Sequence, residues 1–383
     1  MMDPKTGEIL ALAQYPFFYP EKYKDYFNDA DSIEYTRVKA VTDGHEPGSV
    51  LKPLTLATAL LANKELQKRG QKPLFDPEEK VACSEGHFPG RVLGFHEVSQ
   101  KSSNIYFARL VERIIDRLGS DWYRRVLEET FGFGVKTYIE LPSETAGMLP
   151  TPGKLYSNGA LEWSGPTPYS LAIGHNLQSN SIQLLRAYAM LVNGGYFVQP
   201  TLIRKIVEKE PDGSEKALLD YTIPERKQRC PRLLDPAIAN TVAHAMKYVT
   251  KLGGTGRRAD IWGYTEAGKT GTANKIVGGS YSKSQFVASF IGFTPAKDPA
   301  FVLLVAMDEP ECRYIPGVGN NHHGSISAAP VFKEIAKRAL EYLGIAPDDP
   351  HGYPFGDPRY DRNLADWISE TRQLQENYEK WNN

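Results

Sequence analysis

Residues 263–275, GYTEAGKTGTANK, carry two overlapping patterns that would do different chemistry. The first eight match G-x-x-x-x-G-K-T, the loop whose backbone N–H groups and lysine hold nucleotide phosphates. Lys269, Thr270 and Gly271 also form a K-T-G tripeptide, in which the cation and the hydroxyl suit a carboxylate. The residues that follow decide between a phosphate site and a carboxylate site.

A phosphate loop must open directly into a helix, because the helix N-terminus supplies the amides and the dipole that face the phosphates. The residues from Gly271 to Lys283, GTANKIVGGSYSK, combine three glycines with β-branched side chains and disfavour a helix. VLLVAMDEP, residues 302–310, does imitate the strand that ends in a magnesium-binding aspartate in nucleotide enzymes. The missing helix nevertheless favours the carboxylate site.

Ser49 and Lys52 form an S-x-x-K motif in PGSVLKPL, and a helix with one apolar face is predicted from Ser49 to about Lys68. Residues three apart share one face of a helix, so the serine hydroxyl would lie beside an amine that takes its proton. The free N–H groups at the helix start can bind an oxyanion. As the base, Lys52 needs a pKa well below about 10.4, which burial and a nearby cation such as Lys269 would produce.

Ser102 and Asn104 form an S-x-N motif in KSSNIYF and begin a second predicted helix, which runs to Leu118. The serine hydroxyl could relay a proton, and the asparagine amide could bind a peptide group of a substrate. Helix capping would explain the same polar residues without any chemistry. The order S-x-x-K, S-x-N, K-T-G resembles that of penicillin-binding proteins and class A β-lactamases.

Longer segments extend this resemblance from about Asp3 to Ile345. The segments that closely resemble the transpeptidase domain of class B penicillin-binding proteins are EPGSVLKPLTLATAL, KSSNIYFARL, SNSIQLLRAYAMLVNGGY, GGTGRRADIWGYTEAGKTGTANK, FIGFTPAKDPAFVLLVAMDEP and AAPVFKEIAKRALEYLGI. The resemblance implies an α/β (α+β) fold, in which helices sandwich an antiparallel sheet. The active site would lie between the sheet edge and an all-helical subdomain.

The same resemblance implies a serine D,D-transpeptidase that cross-links peptidoglycan stem peptides and is acylated by β-lactams. Ser49 would attack the carbonyl of the penultimate D-alanine and expel the terminal D-alanine, with Lys52 as the base. Ser102 would pass the proton to the leaving amine, and Asn104 would hold the donor peptide. An amine on a neighbouring peptidoglycan strand would then accept the acyl group.

The K-T-G strand would bind the substrate, again by resemblance. The backbone amides of Ser49 and Thr272 would form the oxyanion hole. Lys269, Thr270 and Thr272 would receive the terminal carboxylate, while Gly271 would let the peptide approach the backbone closely.

The resemblance places the catalytic domain on the outer, periplasmic side of the bacterial cytoplasmic membrane, and we expect an N-terminal membrane anchor and pedestal region to be absent from this chain. Expected partners are stem peptides, β-lactams as covalent inhibitors, and proteins of a division or elongation complex, including a glycosyltransferase. We expect no nucleic-acid partner, because 45 basic and 46 acidic residues leave a net charge of -1. We also expect no cofactor and no metal: Cys83, His87, Cys312 and the histidines of HHGSISAAP match no standard metal spacing.

Two other functions share these motifs. A serine β-lactamase would need a second base to activate the deacylating water, and no E-x-x-x-N element that would carry one is evident. A β-lactam sensor or a division-complex scaffold would keep the fold with little turnover. The intact motifs argue against an inactive scaffold.

The helices and strands that must position the motifs are predicted from the spacing of apolar residues and from residues that interrupt regular structure. Residues 9–13, ILALA, are predicted as a buried strand, and Asp212-Gly213 as the turn of a hairpin. Two apolar strands are predicted at residues 285–293 and 301–309. Further helices are predicted at 121–131, 181–192, 235–252 and 328–343.

The composition shifts to Pro, Asp and Gly after Gly344, so we predict a transpeptidase domain over residues 1–345 and a linker with a C-terminal amphipathic helix over 346–383. Apolar residues at helical spacing mark the helix. They are Leu364, Trp367, Ile368, Leu374, Tyr378 and Trp381. The helix either packs on its own domain or binds a partner.

Overall fold

The computed structural model describes residues 1–30, 32–83, 91–221, 230–361, 363–365 and 368–382. The α-helices are, in chain order, α1 (Tyr23–Phe27), α2 (Lys39–Thr42), α3 (Lys52–Lys68), α4 (Phe95–Lys101), α5 (Asn104–Leu118), α6 (Ser120–Arg125), α7 (Thr167–Ala172), α8 (Ser181–Val192), α9 (Pro236–Lys247), α10 (Ala328–Tyr342) and α11 (Ile368–Asn382). The strands are β1 (Val81–Cys83), β2 (Arg91–Leu93), β3 (Lys205–Lys209), β4 (Glu215–Asp220), β5 (Ala267–Val277), β6 (Ser280–Thr294), β7 (Phe301–Asp308), β8 (Tyr314–Ile315) and β9 (Gly319–Asn320).

The main sheet has the strand order β5-β6-β7, and both pairs are antiparallel. Met2 extends the sheet beyond β7 through an antiparallel bridge to Val302. The strand β5 therefore lies at the opposite edge, and no other strand of the described residues pairs with its outer side. An edge strand of this kind offers a row of backbone N–H and C=O groups to an extended peptide.

Helices cover both faces of the sheet, because successive side chains of a strand point to opposite sides. On one face Phe290 and Leu303 pack with Phe332 of α10. On the other face Ile291 and Val302 join the larger core, to which α3, α5, α8 and α9 contribute. The predicted antiparallel sheet sandwiched by helices is thus confirmed.

The predicted helices occur, with differences at their ends. The predictions at 181–192 and 328–343 match α8 and α10 within a residue. The helix predicted at 121–131 is α6 followed by a π-helical turn, Val126–Thr130. The strand predicted at 9–13 is wrong: Ile9 makes only isolated bridges, and Leu10 and Leu12 are 37% and 39% exposed. Met2 pairs with the edge of the sheet instead, and residues 10–13 run over the protein surface.

The C-terminal helix α11 packs against β2 and α4, and its Leu374 is buried. Leu364, predicted on the same helical face, precedes the helix and is 62% exposed. Trp367 lies outside the described residues.

Candidate active site

Ser49 lies half-buried in a 3₁₀ turn, Gly48–Leu51, directly before α3. Gly48 has a φ of +56°, and its N–H donates to the carbonyl oxygen of Gly174 at 2.9 Å. A Cβ on Gly174 would lie 2.0 Å from the Gly48 carbonyl oxygen, so only glycine fits there. On the other side the Tyr188 hydroxyl donates to the Val50 carbonyl oxygen at 2.5 Å. The turn that presents the serine is therefore held from both sides.

Lys52 connects the S-x-x-K and S-x-N motifs. Its side chain is 1% exposed, and its Nζ donates to the carbonyl oxygen of Ser102 at 2.6 Å, to the Ser102 Oγ at 3.0 Å and to the Asn104 Oδ1 at 2.6 Å. Because α3 continues directly from the 3₁₀ turn, Lys52 follows Ser49 by one helical turn. The S-x-x-K and S-x-N motifs are thus in direct contact through this amine.

Ser102 adopts a left-handed backbone conformation at the end of α4, with φ 58° and ψ 42°. A residue with a side chain pays roughly 1–2 kcal/mol for that conformation. Helix capping, the alternative explanation for this motif, applies to Ser103, whose side chain accepts a hydrogen bond from the Tyr106 N–H. It does not account for Ser102, whose hydroxyl and carbonyl both face the Lys52 amine.

Lys269 and Thr270 lie side by side on the edge strand β5. Burial of Lys269, which is 1% exposed, lowers its pKa to about 7. Its Nζ donates to the Thr270 carbonyl oxygen at 3.1 Å. The Thr270 hydroxyl in turn donates to the Thr255 Oγ1 at 3.1 Å. Thr255 belongs to the quoted segment GGTGRR, but sequence reasoning gave it no role.

Gly271 and Thr272 bring β5 against the serine turn. A Cβ on Gly271 would lie 2.3 Å from the Ser289 Oγ and 2.9 Å from the Val50 Cγ1. The close approach that Gly271 permits is therefore made by Val50, the residue after Ser49. Thr272 accepts a hydrogen bond on its Oγ1 from the Gly324 N–H at 3.1 Å. Lys52 joins the S-x-x-K motif to the S-x-N motif, and Gly271 packs the K-T-G strand against the serine turn. All three motifs therefore lie at one site.

The phosphate-loop pattern does not form a phosphate loop. Ala267–Val277 is a strand, and the turn Gly278-Gly279 leads from it into the next strand of the sheet. No helix N-terminus therefore faces Lys269 and Thr270 from this segment, and the interpretation as a carboxylate-binding strand remains.

Glu46 is a functional candidate that sequence reasoning missed. It is 7% exposed, and its carboxylate contacts the His175 Nδ1 at 2.6 Å and accepts from the Asn176 N–H at 2.8 Å and the Tyr281 hydroxyl at 3.1 Å. Burial and the Glu46 charge raise the pKa of Tyr281 to about 12. The cluster ties the β5-β6 hairpin to the segment before Ser49. Its only sequence signal was the position of Glu46 within EPGS.

The described residues contain no group of three or more His, Cys, Asp or Glu side chains arranged to hold a metal ion. Of the residues weighed for a metal, Cys312 contacts the His322 Nδ1 through its Sγ at 3.2 Å, and His87 lies outside the described residues. Within the same part of the chain, no helix has the length and apolarity needed to cross a membrane.

Residues 1–337 match the family model described as penicillin binding protein transpeptidase domain, so the chain belongs to that family. It is 32% identical over 351 residues to the probable peptidoglycan D,D-transpeptidase PenA of Neisseria gonorrhoeae, a match covering 91% of this chain and 52% of the relative. It is also 32% identical over 353 residues to stage V sporulation protein D of Bacillus subtilis, covering 90% and 49%. The chain thus spans about half the length of these relatives.

The fold agrees with this membership. The crystal structure of penicillin binding protein 3 from Mycobacterium tuberculosis, complexed with aztreonam, superimposes with a TM-score of 0.71 at 27% identity. The superposition covers 91% of this chain and 73% of that one.

Proposed function

We propose that the chain is the catalytic domain of a peptidoglycan D,D-transpeptidase that works through an acyl-serine and is inhibited by β-lactams. The contact that carries the proposal is that of the buried Lys52 amine with Ser102 and Asn104, one helical turn after Ser49. The name of the gonococcal relative supports the substrate class, and the aztreonam complex of the structural neighbour supports β-lactam binding.

Acylation uses the residues in a fixed order. Ser49 Oγ attacks the carbonyl carbon of the penultimate D-alanine while neutral Lys52 takes its proton. The N–H groups of Ser49 and Thr272 receive the oxyanion. The proton then passes over the 3.0 Å contact from the Lys52 Nζ to the Ser102 Oγ and on to the leaving amine. The carbon–nitrogen bond breaks, and the terminal D-alanine leaves with the proton.

Acyl transfer runs the same path with a second amine. The acceptor amine attacks the ester carbonyl, Lys52 takes the amine proton, and Ser49 Oγ leaves with a proton returned to it. Asn104, which is exposed, would bind the donor peptide through its amide. The cross-link forms, and the free enzyme is restored.

The terminal carboxylate binds at Lys269, Thr270 and Thr272 in this proposal. Burial lowers the pKa of Lys269 to about 7, so part of the population is neutral near pH 7. A carboxylate that arrives beside the amine favours its charged form. Substrate binding is therefore coupled to proton uptake by Lys269.

We place the reaction on the outer side of the cytoplasmic membrane and expect it to serve a division or elongation complex that includes a glycosyltransferase.

A turnover experiment tests the proposal. The purified chain is incubated with a stem pentapeptide ending in D-Ala-D-Ala and an acceptor amine, and mass spectrometry follows released D-alanine and the cross-linked product. Both products are expected from the wild type and neither from Ser49→Ala. Acylation by benzylpenicillin without any D-alanine release would favour the sensor or scaffold function instead, and fast drug hydrolysis would favour the β-lactamase.

A further inference from the structure

The C-terminal helix α11 lies outside the part of the chain that the family model matches, which ends at residue 337. It nevertheless contacts both ends of α4. Trp381 packs on Gly94, the residue before α4: two ring carbons lie 3.4 and 3.5 Å from the position of a Cβ on that glycine. The Lys80 Nζ lies 4.3 Å from the centre of the Trp381 ring, which fixes the ring from a second side.

At the other end of α4 the contact is made by Tyr378. The Lys101 Nζ lies 4.8 Å from the centre of the Tyr378 ring. The same amine donates to the carbonyl oxygen of Gly253 at 3.1 Å. Lys101, the last residue of α4, therefore joins α11 to the turn at residues 252–254.

That turn is connected to the K-T-G strand β5 through Thr255, the residue that follows it. The Gln100 side-chain amide donates to the Leu252 carbonyl oxygen at 2.8 Å, and the Thr255 N–H donates to the Gln100 carbonyl oxygen at 3.3 Å. The Thr255 hydroxyl then contacts Thr270 on β5. A continuous set of contacts thus runs from α11 to the K-T-G strand.

The same set reaches the S-x-N motif, because Ser102 follows Lys101 directly. Ser102 holds a left-handed conformation that its own side chain disfavours. Such a conformation persists only where the surroundings fix it. The contacts of α11 fix α4 at both ends, and the Ser102 N–H remains bonded to the Val98 carbonyl oxygen at 2.8 Å.

We propose that α11 is a strut for the active site, with Tyr378 and Trp381 as positioning residues that hold the Ser102 turn and the 252–255 turn in place. The strut acts through Lys101 and Gly94 and touches no reacting atom. This inference rests on the proposed function for its kinetic consequence, but its structural consequence can be measured independently.

Tyr378→Ala tests the strut, with Glu376→Ala as the matched control, since Glu376 is exposed on the same helix. Hydrogen exchange of peptides covering residues 95–104 and 250–256 is measured first. Acylation by a fluorescent penicillin is then resolved into its binding constant and its rate constant. Tyr378→Ala should speed exchange in both peptides and lower the acylation rate constant about tenfold, with little change in binding, because small displacements of catalytic groups slow the chemical step.

Two more variants complete the design. Tyr378→Phe keeps the ring over Lys101 and should acylate with the wild-type rate constant. Loss of a residue that only stabilised the fold would not lower the acylation rate constant while leaving the binding constant unchanged. Lys101→Met attacks the contact from α4 and should reproduce the effect of Tyr378→Ala without adding to it in the double variant.

Wild-type exchange in both peptides of Tyr378→Ala and Lys101→Met would overturn the strut, whether or not the chain is acylated. Faster exchange with an unchanged rate constant would also overturn it. Failure of the wild type to be acylated at Ser49 would instead count against the proposed function, and the exchange measurement would still decide the strut.

Discussion

Gly271→Ala is the substitution whose effect can be worked most fully from the structure. The new methyl group would lie 2.3 Å from the Ser289 Oγ, 2.9 Å from the Val50 Cγ1 and 3.1 Å from the Pro47 carbonyl oxygen. The Ser289 contact can be relieved by rotation of a hydroxyl. The Val50 and Pro47 contacts can be relieved only if β5 and the serine turn move apart.

The expected magnitudes follow from that geometry. Extra methyl groups in a packed site cost about 1–3 kcal/mol of stability. The separation would move Ser49, which is next to Val50 in the chain, away from Thr272, whose N–H is the second donor of the proposed oxyanion hole. A displacement of about 1 Å reduces the rate of a positioned reaction roughly 100-fold. We therefore expect a moderate loss of stability and a much larger loss of acylation rate.

The assay compares urea unfolding and the acylation rate constant with a fluorescent penicillin. Gly165→Ala is the control, because no atom lies within 4 Å of the position its Cβ would take. Val50→Ala combined with Gly271→Ala removes the Val50 Cγ1 contact and should recover part of the lost rate. If Gly271→Ala acylates as fast as Gly165→Ala, the serine turn does not depend on contact with β5, and this reasoning is refuted.

The remaining predictions concern two charged residues. Because burial lowers the pKa of Lys269 to about 7, we compare the acylation rates of a β-lactam with a carboxylate and of one without it, and their ratio should fall by about tenfold per unit as pH rises above 7. The ratio cancels pH effects that both drugs share. A ratio that does not change with pH would contradict the assignment of Lys269 to the carboxylate. Between about pH 7 and 10.4 Lys269 is protonated in the unfolded chain but neutral in the folded one, so the free energy of unfolding should rise with pH in that window. Urea unfolding measured at several pH values should show this rise, and Lys269→Met should make it smaller. Glu46→Gln removes the charge that His175, Asn176 and Tyr281 contact and should cost about 1.5–3 kcal/mol in urea unfolding, whereas Tyr281→Phe should cost about 1 kcal/mol; equal losses would show that the charge is not what binds the cluster.

The parts of the site that could be predicted from sequence are those set by short spacing. Ser49 and Lys52 are three residues apart on one predicted helix; in the structure Ser49 lies in a 3₁₀ turn and α3 begins at Lys52. The fold class followed from apolar strands and from the resemblance of long segments. Both depend on neighbours in sequence or on a pattern carried by many residues.

Contacts between distant parts of the chain could not be predicted in this way. Gly174 closes on Gly48, and Tyr281 reaches Glu46, only because the chain folds back over more than a hundred residues. The apolar run at residues 9–13 suggested a buried strand, but hydrophobicity does not say which segment will occupy a sheet edge, and Met2 occupies it. The helical period of the tail predicted α11 but not its position across α4.

The most direct test of the central claim is the intact mass of the chain after incubation with benzylpenicillin, followed over hours beside Ser49→Ala. The account predicts one stable adduct per chain in the wild type and none in the variant. An adduct that persists in Ser49→Ala, or the absence of any adduct in the wild type, would contradict Ser49 as the acylated nucleophile.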